Sequence, residues 1–147
     1  MFVDSSTILA IIGQSAEAPL LVEKIKGSRR PCKTSAGVRV DVVMALARSR
    51  ADRRGVTGEG IERAGEIFDE LLRVLKIYEI TISPRISADA CALAGRFGHL
   101  TDHPAQLRMR HCLALAAAES LRYPLLTNEE AFDRINERDM EAWRRGE

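Results

Sequence analysis

Met1-Phe2-Val3-Asp4-Ser5-Ser6 opens the chain, and its reading decides the fold. Three apolar residues, too few for a helix, stand directly before an acid and two hydroxyls. That is the pattern of a short buried strand that ends in polar side chains. In an open parallel sheet, ligands bind in the crevice outside the carboxyl ends of the strands. An acid placed there is either a group that faces a ligand or the N-cap of the next helix, a role aspartate fills well. From position alone, both remain open for Asp4.

Outward from this strand, the spacing predicts helices from about Ser6 to Gly13 and from Pro19 to Lys26, a turn over Gly27 to Pro31, and a weak strand at Cys32 to Ser35. Val38, Asp41, Val42 and Ala45 share one helical face, and Ala64, Ile67, Phe68, Leu71, Leu72 and Leu75 form the stripe of a long amphipathic helix. Between them, Arg48 to Gly60 reads as a polar, basic, glycine-bearing mobile connection. Tyr78, Ile80 and Ile82 alternate with Glu79 and Thr81, a strand period, and Ala88 to Phe97 returns to helix and stops at Gly98. Pro104 suits the first turn of a further helix capped by Thr101 or Asp102, which runs to about Arg122 and is apolar nearly all round from Cys112 to Ala118. Pro124 to Thr127 reads as a last strand and Glu129 to Arg138 as a terminal helix. Strands separated by helices imply a parallel α/β sheet.

The 147 residues suit a single domain spanning 1–147. A net charge of +1 does not announce nucleic acid, so local clusters must carry any such reading. Cys32, Cys91 and Cys112 are odd in number and widely spaced, which points to a reduced, cytoplasmic protein. The apolar Ile8 to Ile12 run lacks the basic start of a signal peptide, and no run approaches membrane-spanning length.

Three acids fall near the expected strand ends. Asp41, on a face that should point inward, needs a cation or an arginine partner to offset desolvation. Glu129 and Glu130 follow Thr127, and Thr127-Asn128-Glu129-Glu130 fits a capping box, with Glu130 as the reciprocal partner and Glu129 free to face the cleft. Converging carboxylates repel one another unless a divalent cation joins them, and hard oxygen ligands suit Mg²⁺ or Mn²⁺.

Four blocks then occur in order: Phe2 to Ser6, Ser35 to Asp41, His103 to Cys112, and Pro124 to Glu129. Together they resemble PIN-domain ribonucleases, and among these the VapC-type toxins of toxin–antitoxin pairs. The resemblance implies a three-layer α/β/α sandwich with a mainly parallel central sheet and a Mg²⁺- or Mn²⁺-dependent endoribonuclease. It also implies a cognate VapB-like antitoxin, an RNA substrate and a homodimer. It makes Asp4, Asp41 and Glu129 catalytic and metal-binding, with His111 a fourth metal position, and assigns Ser6, Arg108, Arg110 and Thr127 to the substrate. The chain departs from the family pattern at the third block. Arg108, Arg110 and His111 stand where the family has asparagine, glycine and a metal-binding aspartate. Imidazole is a poorer ligand for Mg²⁺ than carboxylate, although Mn²⁺ and Zn²⁺ accept it. One alternative is a catalytically weakened domain that binds an antitoxin peptide or RNA, with His111 an ordinary half-buried histidine. Another, an aspartyl-phosphate phosphatase or receiver, lacks the second aspartate it needs after the first strand. Arg48, Arg50, Arg53 and Arg54 could contact RNA phosphates, or form only a solvated loop. Trp143 is expected to pack a terminal segment rather than to stack bases. Cys112, in a buried helix, has no partner for nucleophilic chemistry.

Overall fold

The computed structural model describes residues 1–53 and 55–147. The elements run β1 (Phe2–Val3), α1 (Ser5–Ile12), α2 (Ala18–Lys26), β2 (Cys32–Ser35), α3 (Ala36–Ser49), α4 (Gly58–Leu75), β3 (Ile77–Ile80), α5 (Pro84–Phe97), α6 (Met109–Leu121), β4 (Leu125–Leu126), a 3₁₀ turn at Glu130–Arg134, and α7 (Glu137–Arg145). The four strands make one all-parallel sheet in the order β3-β2-β1-β4. β1 is central and both its side chains are fully buried. Asp4, the residue after it, therefore emerges at the carboxyl edge between β2 and β4. This is the α/β/α architecture expected from alternating strands and helices.

Each helix follows from local chemistry. Hydroxyl or amide side chains cap four of them: Ser35 for α3, Thr57 for α4, Ser83 for α5 and Asn136 for α7. The stripe of α4 is buried at Ala64, Phe68, Leu72 and Leu75, each large side chain stabilising the fold by about 1.5–3 kcal/mol. α6 is buried at Cys112 and from Ala114 to Ala118. Its alanines let it lie close against α5, α3, β1 and β4. Trp143 packs partly buried against the core, as its terminal position suggested. Gly98 ends α5 with no room for a side chain, because a Cβ there would run into the Ala94 carbonyl.

Four expectations are corrected. Pro104 does not open a helix: α6 begins at Met109, and 98–108 is an irregular loop. That loop is drawn inward because Ala105 and Leu107 are buried. The Leu107 N–H donates to the Phe97 carbonyl (2.8 Å) and the His99 N–H to that of Leu107 (3.0 Å). β3 ends at Ile80, and Tyr78 is 53% exposed instead of sharing a buried face with Ile80 and Ile82, because β3 is an edge strand. The terminal helix is split into the 3₁₀ turn and α7, the latter restarted by the Asn136 cap. The capping box with Glu130 does not form: Thr127 Oγ1 accepts the Glu129 N–H, and no side chain caps the 3₁₀ turn. Of the basic connection, Arg48, Arg50 and Arg53 are exposed, and Arg54 lies outside the described residues. Among the described residues, no helix is long and apolar enough to cross a membrane.

Candidate active site

Asp4 is the N-cap residue of α1 by position, yet its side chain makes no capping bond. Its Oδ2 instead accepts the hydroxyls of Ser6 (3.0 Å) and Thr127 (3.1 Å), and the Ser5 hydroxyl approaches Oδ1 at 3.4 Å. Ser6 and Thr127 are also 3.1 Å from each other, and accept the backbone N–H groups of Asn128 and Glu129 respectively. With the Asp4 N–H bonded to the Leu126 carbonyl at 3.0 Å, this network fastens the ends of β1 and β4 together. Asp4 is 1% exposed. A carboxylate buried this far and held by hydroxyls is positioned for a task beyond ending a turn.

Asp41 lies on α3, nearly two turns beyond the Ser35 cap. It shares with Asp4, Ser35 and Arg110 a small cavity of about 210 Å³. Glu129 reaches the same region from the end of β4. Between these two acids lies Arg110, with Nε 3.6 Å from Asp41 and Nη2 3.7 Å from Glu129. The partner that Asp41 needed is thus an arginine of this chain. All three side chains are about one-third exposed, so each contact is a solvent-screened attraction of modest strength.

His111 is buried, and its Nδ1 accepts the Arg108 backbone N–H at 3.2 Å. The imidazole takes the place of the glutamate or glutamine of a capping box, closing the first turn of α6. A ring nitrogen that accepts cannot carry the proton, so in the neutral ring the proton is on Nε2. Nε2 has no hydrogen-bond partner and lies 3.5 Å from Glu129, while the ring edge meets Phe132 with centroids 5.5 Å apart. Burial first, then the Arg110 charge, hold His111 below its ordinary value of 6.5, against upward pulls from Glu129, Asp4 and Asp41.

A neutral buried histidine makes stability depend on pH in a defined direction. The unfolded chain takes up its proton near pH 6.5, before the folded chain does, so stability is lost as pH falls through the window below that value. We expect the melting temperature to drop between about pH 7 and about pH 5, and the drop to be smaller in His111→Gln. Glutamine keeps the acceptor for the Arg108 N–H but does not titrate. Parallel pH profiles for the two proteins would remove His111 as the source.

A divalent cation at these acids would have to compete with contacts they already make. The donor types are right, but Arg110, with its single positive charge, lies between Asp41 and Glu129, and the neutral imidazole carries its proton on the buried Nε2 that faces Glu129. Among the described residues, no three histidine, cysteine, aspartate or glutamate side chains are grouped to hold a metal. The structure brings together Asp4, Asp41, Glu129, Arg110, His111, Ser6 and Thr127. It leaves the Arg108 side chain exposed, with only its backbone joined to His111. Two features were missed in the sequence: the hydroxyl clamp on Asp4 and the capping role of His111. The three-residue step from Arg108 to His111 is the signal for the second. Cys112 stays out of the chemistry, its thiol pushed up to about 11 by burial.

No family model matches the chain. Over 142 residues it is 30% identical to the VapC ribonuclease of Rhizobium meliloti (strain 1021), across 92% of this chain and 97% of that protein. Among solved structures it is similar to a toxin–antitoxin complex from Klebsiella pneumoniae, with a TM-score of 0.59 at 15% identity over 88% of this chain and 86% of that one. The first likeness covers nearly the whole of both chains, and the second bears on the fold alone.

Proposed function

Because the chain belongs to the VapC ribonuclease family, we propose that it is an endoribonuclease and the toxin of a toxin–antitoxin pair, with RNA as substrate. The observation that carries this reading is the cavity in which Asp4 and Asp41 meet Arg110 at the carboxyl edge of the sheet. A phosphodiester entering there offers its oxygens to the Arg110 guanidinium, which matches phosphate geometry well. A neighbouring carboxylate can then accept a proton from the attacking water as its oxygen bonds to phosphorus, while the bond to the leaving ribose oxygen breaks and that oxygen takes a proton from solvent. The dependence on Mg²⁺ or Mn²⁺ that we propose is weak, since the cation must compete with Arg110 for Asp41 and Glu129. The partner we propose, an antitoxin in the manner of VapB, places a basic side chain over the same acids, and the toxin acts as a homodimer.

The test is incubation of the purified chain with labelled RNA, alone and with the product of an adjacent small gene. Cleavage fragments that vanish when that product is added are the expected result. RNA left intact under every cation condition would overturn the nuclease reading. The second reading, a domain that binds RNA or antitoxin without efficient cleavage, is favoured by one feature: Arg110 lies between Asp41 and Glu129. Retained RNA binding without cleavage would select it.

A further inference from the structure

Five cations stand together at the opposite, amino-terminal edge of the sheet. Lys26 closes α2, Arg29 and Arg30 lie in the loop that follows, Lys33 is on β2, and Lys76 is the left-handed residue that ends α4. Lys26, Arg29, Arg30 and Lys76 line one groove of about 530 Å³, together with Tyr78 and no carboxylate. All four are exposed, and among the described residues none of the five cations forms an ion pair. Their neighbours are aromatic instead. The Lys33 ammonium lies 4.9 Å from the Tyr78 ring centroid, and the Arg30 guanidinium 4.0 Å from that of Tyr123.

In a chain of net charge +1, five unpaired cations in one place leave the rest of the molecule net acidic. Like charges crowded at one edge repel one another and oppose folding, unless a polyanion offsets them. We propose that this groove is a second RNA-binding surface, which holds the substrate strand at the edge of the sheet remote from the acids. The proposal rests on the reading of the chain as an RNA-directed protein. Phosphates meet Lys26, Arg29, Arg30 and Lys76, and a base stacks on the exposed face of Tyr78, the pairing of charge and aromatic surface that single strands require. An acidic peptide would satisfy the charges but has no use for the tyrosine face. β2 carries Lys33 near one end and Ser35, which lines the acid cavity, at the other. The strand from Cys32 to Ser35 separates the two edges by about 10 Å. A strand long enough to pass round the β3 edge touches both, whereas a dinucleotide cannot. Longer RNA should therefore bind more tightly than the acid cavity alone allows.

The experiment is fluorescence anisotropy with a labelled 20-nucleotide single-stranded RNA, in chelator and with the RNA confirmed intact after each titration, across a series of salt concentrations. The variants are Lys26→Ala/Arg29→Ala/Arg30→Ala/Lys76→Ala and the charge-keeping Arg29→Lys/Arg30→Lys. We expect the fourfold variant to bind about tenfold or more weakly, and its salt slope to shrink by about 0.7 for each phosphate that is no longer neutralised. The lysine variant should stay near the parent, and a labelled dinucleotide should not distinguish any of the proteins. Parent protein that binds no RNA overturns the RNA reading itself. Parent that binds, with affinity and slope unchanged in the fourfold variant, overturns only the second surface. So does a fourfold variant that keeps RNA but loses a co-purifying acidic protein, which would make that protein the occupant.

Discussion

Replacing Arg110 with glycine and His111 with aspartate removes the arginine that competes for the acids and adds a carboxylate, raising Mn²⁺ affinity about tenfold or more. The expectation follows from charge. Arg110 supplies the only cation seen between Asp41 and Glu129 among the described residues, and His111 adds a neutral N–H beside them. Removing the guanidinium frees both acids, and the carboxylate introduced by His111→Asp joins Asp4 to make a fourth at the sheet edge. Four converging carboxylates repel one another until a divalent ion, then the largest local charge, offsets them. The double variant should accordingly melt below the parent in chelator and gain stability steeply with added Mn²⁺, because ligand that binds only the folded state stabilises it by mass action. Arg110→Gly alone should show a smaller gain, since the imidazole still presents its proton. RNA cleavage should rise with metal occupancy. Calorimetric titration reads the effect without any assay of activity. Equal Mn²⁺ affinity in parent and double variant would mean that Arg110 does not compete for the acids.

Asp4→Asn should lower RNA cleavage by about 10²-fold or more while the fold survives. Asparagine has nearly the shape of aspartate, and the Ser6 and Thr127 hydroxyls that now donate to Oδ2 can rotate to accept from an amide instead. The clamp between β1 and β4 therefore persists, and only the charge is lost. A helix cap would behave differently, since asparagine caps as well as aspartate and neither stability nor cleavage would change. The absence of any capping bond from the Asp4 side chain argues against that outcome. Cleavage and melting curves measured side by side separate the two roles. An Asp4→Asn protein that still cleaves RNA at the parent's rate would remove Asp4 from the chemistry.

Much of the fold was legible in the residues because it depends on local pattern. The apolar Phe2-Val3 pair, the stripe of α4 and the all-round apolar run of α6 bury most of the residues that the pattern marked, with Ile67, Leu71 and Leu113 partly buried against the core. The loop from 98 to 108 was not legible. Its shape comes from Leu107 bonding across to Phe97, an interaction that outweighs the helix-opening preference of Pro104. Tyr78 likewise alternates as a buried strand residue should, but the strand order places β3 at the edge and exposes it.

For the site, the sequence by itself determined the identities: an acid after the first strand, acids at Asp41 and Glu129, and arginine and histidine where a carboxylate centre has glycine and aspartate. Residue types and their order are enough for that, since each strand end is marked by the polar residue that follows an apolar run. Only the tertiary structure decided how those groups are engaged. Asp4 is clamped by hydroxyls that follow two strand ends, and Arg110 spans acids contributed by α3 and by the end of β4, whereas the histidine ring is turned locally by a backbone N–H three residues away. Charge compensation depends on distances of a few ångströms between segments remote in the chain, and such distances are set by packing rather than by any local pattern.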